Sequence, residues 1–256
     1  MNTNNHRIRI LNMITDLTTL EQVTSRVVEA RRVGERGYVC LSNVHMCMEV
    51  FDSVEFETVV NSADFVLPDG LPIAWAQRLI TRSNSSQVRG QDLTNRLCQL
   101  SASRGLRIGL YGGADTSILQ KVVEVLEVQY PGIRISYSYC PPFRPLTREE
   151  DEAIISDIAA AQVDLLFVGI GCPKQERWMA EHRSRINAYM FGVGAAFDFI
   201  SGNKKHAPKW MQRAGLEWAF RLGSEPSRLW RRYLQQNPRF LFYLARQVVF
   251  GKSQQS

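Results

Sequence analysis

The sequence predicts an α/β fold in which helices cover both faces of a mostly parallel, Rossmann-like sheet, with a helical appendage at the C-terminus. Three observations predict it. Short apolar runs alternate with longer amphipathic segments through roughly the first 200 residues, as expected of buried parallel strands joined by helices. Glycine-rich turns follow several of the short runs, at the points where such sheets bind ligands. The remaining residues are basic and have a helical pattern.

Six short apolar runs have the length and the flanking turn residues of buried strands. They cover residues 37–42, 64–67, 106–111, 133–138, 164–169 and 189–194. Apolar residues at helical spacing predict helices over residues 18–32, 71–80, 91–103, 115–129, 147–161 and 174–187. In the first helix Thr18 stands three residues before Glu21, a spacing that predicts a capping box.

The chain divides into a body, residues 1–202, and a helical appendage, residues 203–256. Turn residues and charges interrupt the strand–helix alternation at the boundary, over residues 201–208. In the appendage Pro208, Pro226 and Pro238 each predict the first turn of a short helix, because the missing N–H of proline costs least there.

Charge is distributed unevenly between the two parts. The formal net charge is +6, and from Lys204 onward eleven Lys and Arg residues stand against two Glu residues, so this end carries +9 and the rest −3. Such a segment attracts polyanions, either nucleic acid or an anionic lipid surface. Arg221, Arg228 and Arg231 or Arg232 are spaced to share one helical face among aromatic residues. This pattern is typical of an interfacial amphipathic helix, and also of a helix packed on the core with a basic outer face.

The composition excludes several classes of protein. With 256 residues, 45% of them hydrophobic and 22% charged, the chain is globular rather than disordered or fibrous. Five scattered cysteines without a CxxC pair argue against a disulfide framework and a zinc site. The sequence has neither an apolar leader nor a run of about 20 apolar residues, so we expect a cytoplasmic protein that is not inserted in a membrane.

The residues after the predicted strands carry the candidate binding chemistry, because ligands of such sheets bind beyond the carboxyl ends of the strands. Glycine turns there let backbone N–H groups approach a phosphate at a helix N-terminus, which predicts a nucleotide ligand. The same glycines could instead be present because their turns need positive φ. The candidate binding residues in these turns are Gly112, Gly113, Gly169, Gly171, Lys174 and Gly194.

Asp69 is the strongest candidate for catalysis. It follows a predicted strand, between Pro68 and Gly70, where a carboxylate can take the proton of a hydroxyl. Spacing alone favours the alternative, a cap of the helix over residues 71–80. Asn43 follows another strand and could bind a polar ligand or form an ordinary turn.

Three further segments offer polar groups. His45 follows the same strand as Asn43 and is expected to be structural. Arg89 is placed to contact a phosphate, while Asp92 is expected to cap the next helix. Lys174 and Gln175 open a helix whose positive end suits a diphosphate or a sugar hydroxyl, and a solvated first turn would explain Glu176.

No Asp-x-Asp and no metal-spaced cluster of His, Asp and Glu occurs in the sequence, so neither a metal nor another cofactor is expected. Arginines and backbone dipoles would then balance the charge of a leaving group.

Taken together and in order, five segments resemble the WecG/TagA/CpsF family, glycosyltransferase family 26, over nearly the whole chain. The segments are residues 63–70, 90–92, 169–176, 192–198, and 207–213 with 215–218. The resemblance implies an inverting, metal-independent transferase that moves a sugar from a UDP-sugar donor to a polyprenyl-diphosphate-linked saccharide. Such an enzyme would work on the inner membrane face in the synthesis of teichoic acid linkage units, enterobacterial common antigen or exopolysaccharide. An anionic membrane surface is then an expected partner and nucleic acid is not.

The resemblance also implies roles for individual residues. Asp69 would be the general base, Asn43 and Gln175 match polar pocket positions, and Asp198 matches a position near the uracil. Arg221, Arg228 and Arg231 match appendage arginines that close over the diphosphate. Two positions depart from the family pattern: Leu41 stands where the family often has Thr, and Cys172 stands where it commonly has Ser or another small residue. We interpret Cys172 as a spacer and not as a nucleophile.

Two other classes of protein stay open at this point. The pair Gly192-x-Gly194 imitates a dinucleotide fingerprint, although not on the first strand–helix unit, and this leaves a nicotinamide-dependent oxidoreductase as one alternative. A non-enzymatic module that binds nucleic acid or membranes is the other. The residues do not decide whether the chain forms a homo-oligomer.

Overall fold

A computed structural model describes residues 7–82, 85–208, 210–211 and 215–250, without the side chain of Arg228. Its strands are β1 (Arg7–Ile10), β2 (Met13–Asp16), β3 (Gly37–Ser42), β4 (Phe65–Pro68), β5 (Arg107–Gly112), β6 (Arg134–Tyr139), β7 (Leu165–Gly169) and β8 (Tyr189–Gly192). Its helices are α1 (Leu20–Arg32), α2 (Val44–Asp52), α3 (Val54–Asn61), α4 (Leu71–Thr81), α5 (Gly90–Arg104), α6 (Thr116–Gln129), α7 (Arg148–Ala160), α8 (Lys174–His182), α9 (Ala196–Ile200), α10 (Glu217–Ser224) and α11 (Pro226–Phe250).

The six predicted strands form one all-parallel sheet in the order β4-β3-β8-β7-β5-β6. Its interior strands are buried on both sides, which explains why they read as continuous apolar runs. The register pairs Ser42 with Pro68, and Gly112 with Gly169. The carboxyl ends of neighbouring strands, and the turns that follow them, therefore meet at one edge of the sheet.

Two apolar cores lie on the two faces of this sheet. On one face the strands pack against α2, α3, α4, α7, α8 and α11, and on the other against α1, α5, α6 and α9. The predicted α/β class with helices on both faces is thus confirmed.

The N-terminal part differs from the prediction in three ways. An antiparallel pair, β1 with β2, precedes α1, and two short helices, α2 and α3, connect β3 to β4. These elements were not predicted, because each is too short for its periodicity to stand out. The capping box is formed by Thr19 and Gln22, not by Thr18 and Glu21, because the helix begins one residue later than the spacing suggested.

The appendage ends in one long helix, not in several short ones. Pro226 begins α11 as predicted, whereas Pro238 lies inside it, and the prediction that Pro238 starts a new helix is wrong. Proline removes the bond to the carbonyl of Leu234, but both residues are exposed, so water can hydrate that carbonyl. Pro208 is described, but the residue after it is not, so its predicted helix start lies outside the described residues.

The long helix α11 packs on the body along α2. Phe240 and Leu244 are buried in the core. Arg239 pairs with Asp52 at 2.6 Å, and the rings of Phe51 and Tyr243 lie 4.5 Å apart. Among the residues described, no helix is both long enough and apolar enough to cross a bilayer.

Candidate active site

A cavity of about 840 Å³ opens at the carboxyl edge of the sheet. The turns after β5, β7 and β8 line it through Gly113, Gly169, Gly171 and Gly194. A Cβ on Gly112 would lie 2.5 Å from the carbonyl oxygen of Gly169, so these two strands can approach only without a side chain at residue 112. At Gly171 the φ of +85° demands glycine, and a Cβ there would meet no atom within 4 Å, because the turn faces open space. The predicted glycine turns therefore form the wall of one pocket.

Charged side chains of both signs surround the cavity. Basic residues of α8 and the neighbouring loops line it, including Lys174 and Lys204. Asp198 also lines the cavity, where its carboxylate pairs with Lys204 at 2.9 Å and accepts a hydrogen bond from Asn203 at 3.0 Å. The cavity can accommodate an anionic ligand at the N-terminus of α8.

An aromatic stack forms the far wall of the cavity. The rings of Tyr111 and Trp178 lie 4.4 Å apart, and Trp178 stacks on His182 at the same distance. On the other side of its ring, His182 Nε2 lies 2.9 Å from Oδ2 of Asp151. We did not predict these lining residues from sequence, since Tyr111 and Trp178 read as ordinary core positions of a strand and a helix.

Asp69 follows β4, at the same carboxyl edge of the sheet, and is not among the residues that line this cavity. Its Oδ1 accepts a hydrogen bond from the N–H of Gly90 at 2.8 Å, and its own N–H donates to the carbonyl of Ser42 at 2.9 Å. A Cβ on Gly90 would lie 3.4 Å from the carbonyl oxygen of Val193, which brings Asp69 close to the turn after β8. Burial raises the pKa of Asp69 to about 6, although the Gly90 N–H and the Arg221 charge lower it.

The alternative role for Asp69, a cap of α4, is wrong. Gly70 occupies the N-cap position of α4, and within the described part of the chain no side-chain hydrogen bond caps that helix. Asp69 instead binds the first N–H of α5, the helix that Asp92 was expected to cap. That second prediction is also wrong, because α5 begins at Gly90 and Asp92 lies in its first turn.

Asn43 lies next to Asp69. It is the N-cap of α2, and its Oδ1 accepts a hydrogen bond from the N–H of Met46 at 3.2 Å. A Cβ on Gly70 would lie only 3.2 Å from the Asn43 Cβ, so the two strand ends are in contact. The side-chain oxygen of Asn43 is thus held by the cap of α2.

Two arginines, Arg221 of the appendage and Arg89 just before α5, lie near enough to Asp69 for their charges to lower its pKa. The Arg221 guanidinium lies 5.0 Å from the centre of the Phe199 ring, and its charge lowers the pKa of Asp69. Arg89 lies 4.0 Å from Glu217, an ion pair that joins the start of α5 to the start of α10. Arg232 lies 3.5 Å from the Asn43 Oδ1.

One predicted arginine is placed elsewhere. Arg231 is exposed, and its guanidinium lies over the ring of Trp230 at 5.3 Å. The structure therefore directs Arg232, not Arg231, toward Asn43. The side chain of Arg228 lies outside the described residues, so its predicted role stays a prediction.

Comparison with known proteins assigns the chain to a family of enzymes. The model of the Glycosyl transferase WecG/TagA/CpsF family matches residues 8–254. The chain belongs to this family. It is a glycosyltransferase, as the resemblance implied, and neither an oxidoreductase nor a non-enzymatic binding module.

Two bacterial relatives are similar over most of the chain. Both are described as N-acetylglucosaminyldiphosphoundecaprenol N-acetyl-beta-D-mannosaminyltransferase. The protein of Bacillus spizizenii (strain ATCC 23059 / NRRL B-14472 / W23) is 33% identical over 199 residues, 77% of this chain and 75% of the relative. That of Bacillus subtilis (strain 168) is 34% identical over 182 residues, 70% of this chain and 68% of the relative.

In this glycosyltransferase the side chain of Gln175 lies beneath the glycine turns and is not among the residues that line the cavity. It is only 3% exposed, and its Oε1 accepts hydrogen bonds from the N–H groups of Gly171 and Gly194 at 3.2 and 3.1 Å. Its predicted contact with a substrate stays a prediction. Glu176 is fully buried, so the solvated first turn that would have explained it is wrong.

Burial also shifts the pKa of three other groups. The pKa of the Glu176 carboxyl is raised to about 7 by burial. Burial, and then the nearby Glu176 charge, raise the pKa of the Cys172 thiol, which is in keeping with a spacer because a nucleophilic cysteine needs a lowered pKa. His45 contacts Gln236 of α11 at 2.9 Å, and burial lowers its pKa to about 4, so it is neutral at pH 7.

Within the described part of the chain, no cluster of three His, Cys, Asp or Glu side chains is arranged for a metal ion.

Proposed function

We propose that the protein transfers a sugar from a UDP-sugar to a polyprenyl-diphosphate-linked saccharide, with inversion at the anomeric carbon. The observation that carries this proposal is the Asp69 carboxylate, which lies at the same carboxyl edge of the sheet as the glycine-lined cavity and within range of the charge of Arg221 from the appendage. The names of the two relatives support the acceptor class, since both describe an N-acetylglucosaminyl diphosphoundecaprenol substrate. The pathway would be the synthesis of a cell-surface polysaccharide.

The donor occupies the cavity in this proposal. A volume of about 840 Å³ suits a nucleotide-sugar, since ligand pockets commonly enclose 300 to 1,000 Å³. The N-terminus of α8 and Lys174 bind the diphosphate. The N–H of Gly113 donates to the carbonyl of Gly169 and therefore holds the turn rather than the phosphate. Asp198, which the family resemblance places near the uracil, would keep its ion pair with Lys204.

Asp69 acts as the general base. Its carboxylate removes the proton of the acceptor hydroxyl, and the hydroxyl oxygen attacks the anomeric carbon from the face opposite the leaving group. The bond between this carbon and the phosphate oxygen breaks, and UDP leaves with the electron pair. A pKa of about 6 leaves Asp69 ionised at neutral pH and makes it a stronger base than an ordinary aspartate.

Arginines stabilise the charge of the leaving diphosphate. Arg221 and Arg232 approach the site from the appendage, and Arg228 would join them according to the family resemblance. Fixed cations of this kind lower the barrier when charge develops in the transition state. We propose that no metal ion is needed for this step.

The appendage brings the pocket to the membrane in this proposal. Its net charge of +9 attracts an anionic leaflet, at about 1 kcal/mol for each basic residue near the surface. Exposed apolar side chains of α11, among them Leu241 and Phe242, can enter the interface. The protein would then work on the inner membrane face, where its lipid-linked acceptor lies.

A transfer assay tests the proposed function. The purified chain is incubated with a panel of UDP-sugars and a short-chain lipid diphosphate that carries N-acetylglucosamine, with and without EDTA. We expect one UDP-sugar to yield an extended lipid product of inverted configuration, at the same rate with EDTA. No product from any donor, together with no binding of UDP, would refute the proposal, and a loss of activity in EDTA would refute its metal independence.

A further inference from the structure

Gln175 and Glu176 form a buried polar pair below the pocket floor. They occupy the first turn of α8 and are 3% and 0% exposed. Buried side chains of this polarity are costly unless their hydrogen bonds are satisfied, so their partners indicate what they do.

The amide of Gln175 joins two glycine turns. Its Oε1 accepts from the Gly171 N–H, after β7, and from the Gly194 N–H, after β8. Since these are two donors, the amide must present its oxygen to them, and its NH2 group must point the other way. A single side chain thus fixes the spacing of two turns that line the cavity.

The carboxyl of Glu176 receives that NH2 group. Gln175 Nε2 donates to Glu176 Oε1 at 2.7 Å. An amide rotated by half a turn would direct its NH2 group at two N–H donors and its oxygen at a carboxylate, so Glu176 stabilises the same orientation that the two donors require. The carboxyl also interacts with the side chain of Cys172, a weak hydrogen-bond donor.

The sheet makes room for this pair. A Cβ on Gly192, at the end of β8, would lie 2.9 Å from Gln175 Nε2 and 2.9 Å from the Met179 side chain. Gly192 has no positive φ, so steric space is the reason for a glycine at this position. Of the two glycines that imitate a dinucleotide fingerprint, Gly192 makes room for the Gln175 side chain, and Gly194 forms the turn.

We propose that Glu176 is a positioning residue of the transferase, which orients the Gln175 amide so that the turns at Gly171 and Gly194 hold the geometry that binds the donor diphosphate. Glu176 does not touch the substrate and acts through Gln175. The ligand in this inference rests on the proposed function, whereas the coupling of the two turns does not.

A double-mutant cycle on the full chain tests the inference. UDP affinity is measured by calorimetry, and KM and kcat by transfer, for the wild type, Glu176→Ala, Gln175→Ala and the double variant. We expect each single variant to weaken UDP binding by about tenfold, mainly through the KM for the donor, and the double variant to be no worse than Gln175→Ala. Glu176→Gln keeps an acceptor for Gln175 and should restore part of the affinity.

A matched control separates positioning from mere loss of stability. Asp16 is also a buried carboxyl, 1% exposed, which accepts from the Val66 N–H at 2.7 Å and is not among the residues that line the cavity. Asp16→Asn should lower Tm without changing the affinity for UDP. If Glu176→Ala does not fold, Glu176→Gln and its double variant with Gln175→Ala provide the same comparison.

Hydrogen exchange and UDP binding distinguish a failure of this inference from a failure of the proposed function. Hydrogen exchange of the Gly171 and Gly194 amides needs no ligand, and we expect it to accelerate in Glu176→Ala and Gln175→Ala but not in Asp16→Asn. A wild type that does not bind UDP would refute the donor, while accelerated exchange would still support the coupling. The positioning role would be overturned if Glu176→Ala left the hydrogen exchange of the two amides unchanged or left the UDP affinity unchanged. It would also be overturned if the loss of UDP affinity in the double variant equalled the product of the two single losses.

Discussion

At the scale of single residues, opposing effects set the basicity of Asp69. Burial favours its neutral form, whereas the Gly90 N–H and the charge of Arg221 favour the carboxylate, and the net result is a pKa of about 6. The carboxylate is therefore more basic than an ordinary aspartate and still ionised at pH 7. This balance suits a group that must take a proton from a sugar hydroxyl.

Asp69→Asn is expected to abolish transfer and keep UDP binding. An amide accepts the Gly90 N–H as the carboxylate does, but it cannot take a proton. Because the folded pKa of about 6 lies above the ordinary value of 3.8, the charged form costs stability above about pH 6, and this cost decreases as the pH falls from 6 toward 3.8. Asp69→Asn should thus match or exceed the Tm of the wild type at pH 8. Full turnover by this variant would contradict the role of Asp69 as base.

Arg221→Gln should move the acid limb of the pH–rate profile to higher pH. The Arg221 charge lowers the pKa of Asp69, so its removal lets the carboxyl protonate at a higher pH. The wild-type rate should fall by about tenfold per pH unit well below pH 6, and the variant should begin this fall earlier. Arg246→Gln is the control, since Arg246 lies on α11 over Phe242. Equal profiles for all three proteins would argue that Arg221 does not act on Asp69.

At the scale of secondary structure elements, sequence periodicity located the sheet but not the orientation of the appendage. The predicted strands were recognisable because parallel strands buried on both faces are continuous apolar runs. The cap of α5 and the C-terminal end of α8 were predicted wrongly, and for α5 the reason is a tertiary contact, since Asp69 accepts the hydrogen bond of the Gly90 N–H. For the site, the glycine turns could be predicted from their positions after strands, whereas spacing alone favoured the wrong role, a helix cap, for Asp69. The burial of Glu176 could not be predicted, since a charged residue in a first turn usually faces water.

The helix α11 shows the same limit at the level of one residue. Arg231 and Arg232 are neighbours in sequence, and helical spacing alone did not decide which of them faces the site. Packing decides, because Phe240 and Leu244 are buried in the core and this fixes the rotation of the helix. As a consequence Arg232 lies beside Asn43, and Arg231 lies in solvent.

Substitution of these neighbouring arginines provides a test of that rotation. Arg232→Gln should lower kcat by about tenfold or more, the loss expected when one cation is removed from a developing charge. Arg231→Gln should change kcat by less than about twofold, since an exposed side chain over Trp230 contributes little. Melting temperatures should be similar for both. The opposite ranking would show that α11 is rotated in the active enzyme.

At the scale of the whole molecule, the appendage has both a structural and an interfacial side. Phe240 and Leu244 complete the core beside α2, so the appendage cannot be deleted without exposing apolar surface of the body. Removal of the residues after about 201 is therefore a poor test of membrane binding, because it would also lower the stability of the donor pocket. Point substitutions on opposite faces of α11 separate the two functions.

The substitutions Leu241→Ser and Phe242→Ser should weaken binding to vesicles that contain anionic lipid, with little change in Tm. These side chains are 61% and 59% exposed, so serine removes little buried area from the folded protein. Each would bury its apolar surface in the membrane interface, a gain of about 1.5 to 3 kcal/mol when complete, so we expect a loss of about tenfold per residue. Phe240→Ser is the matched control: Phe240 is 1% exposed, and its replacement should lower Tm sharply. Vesicle sedimentation at two salt concentrations, with Tm from calorimetry, measures both effects. Unchanged sedimentation of both exposed-face variants, with vesicle binding that persists in high salt, would mean that α11 does not contact the membrane.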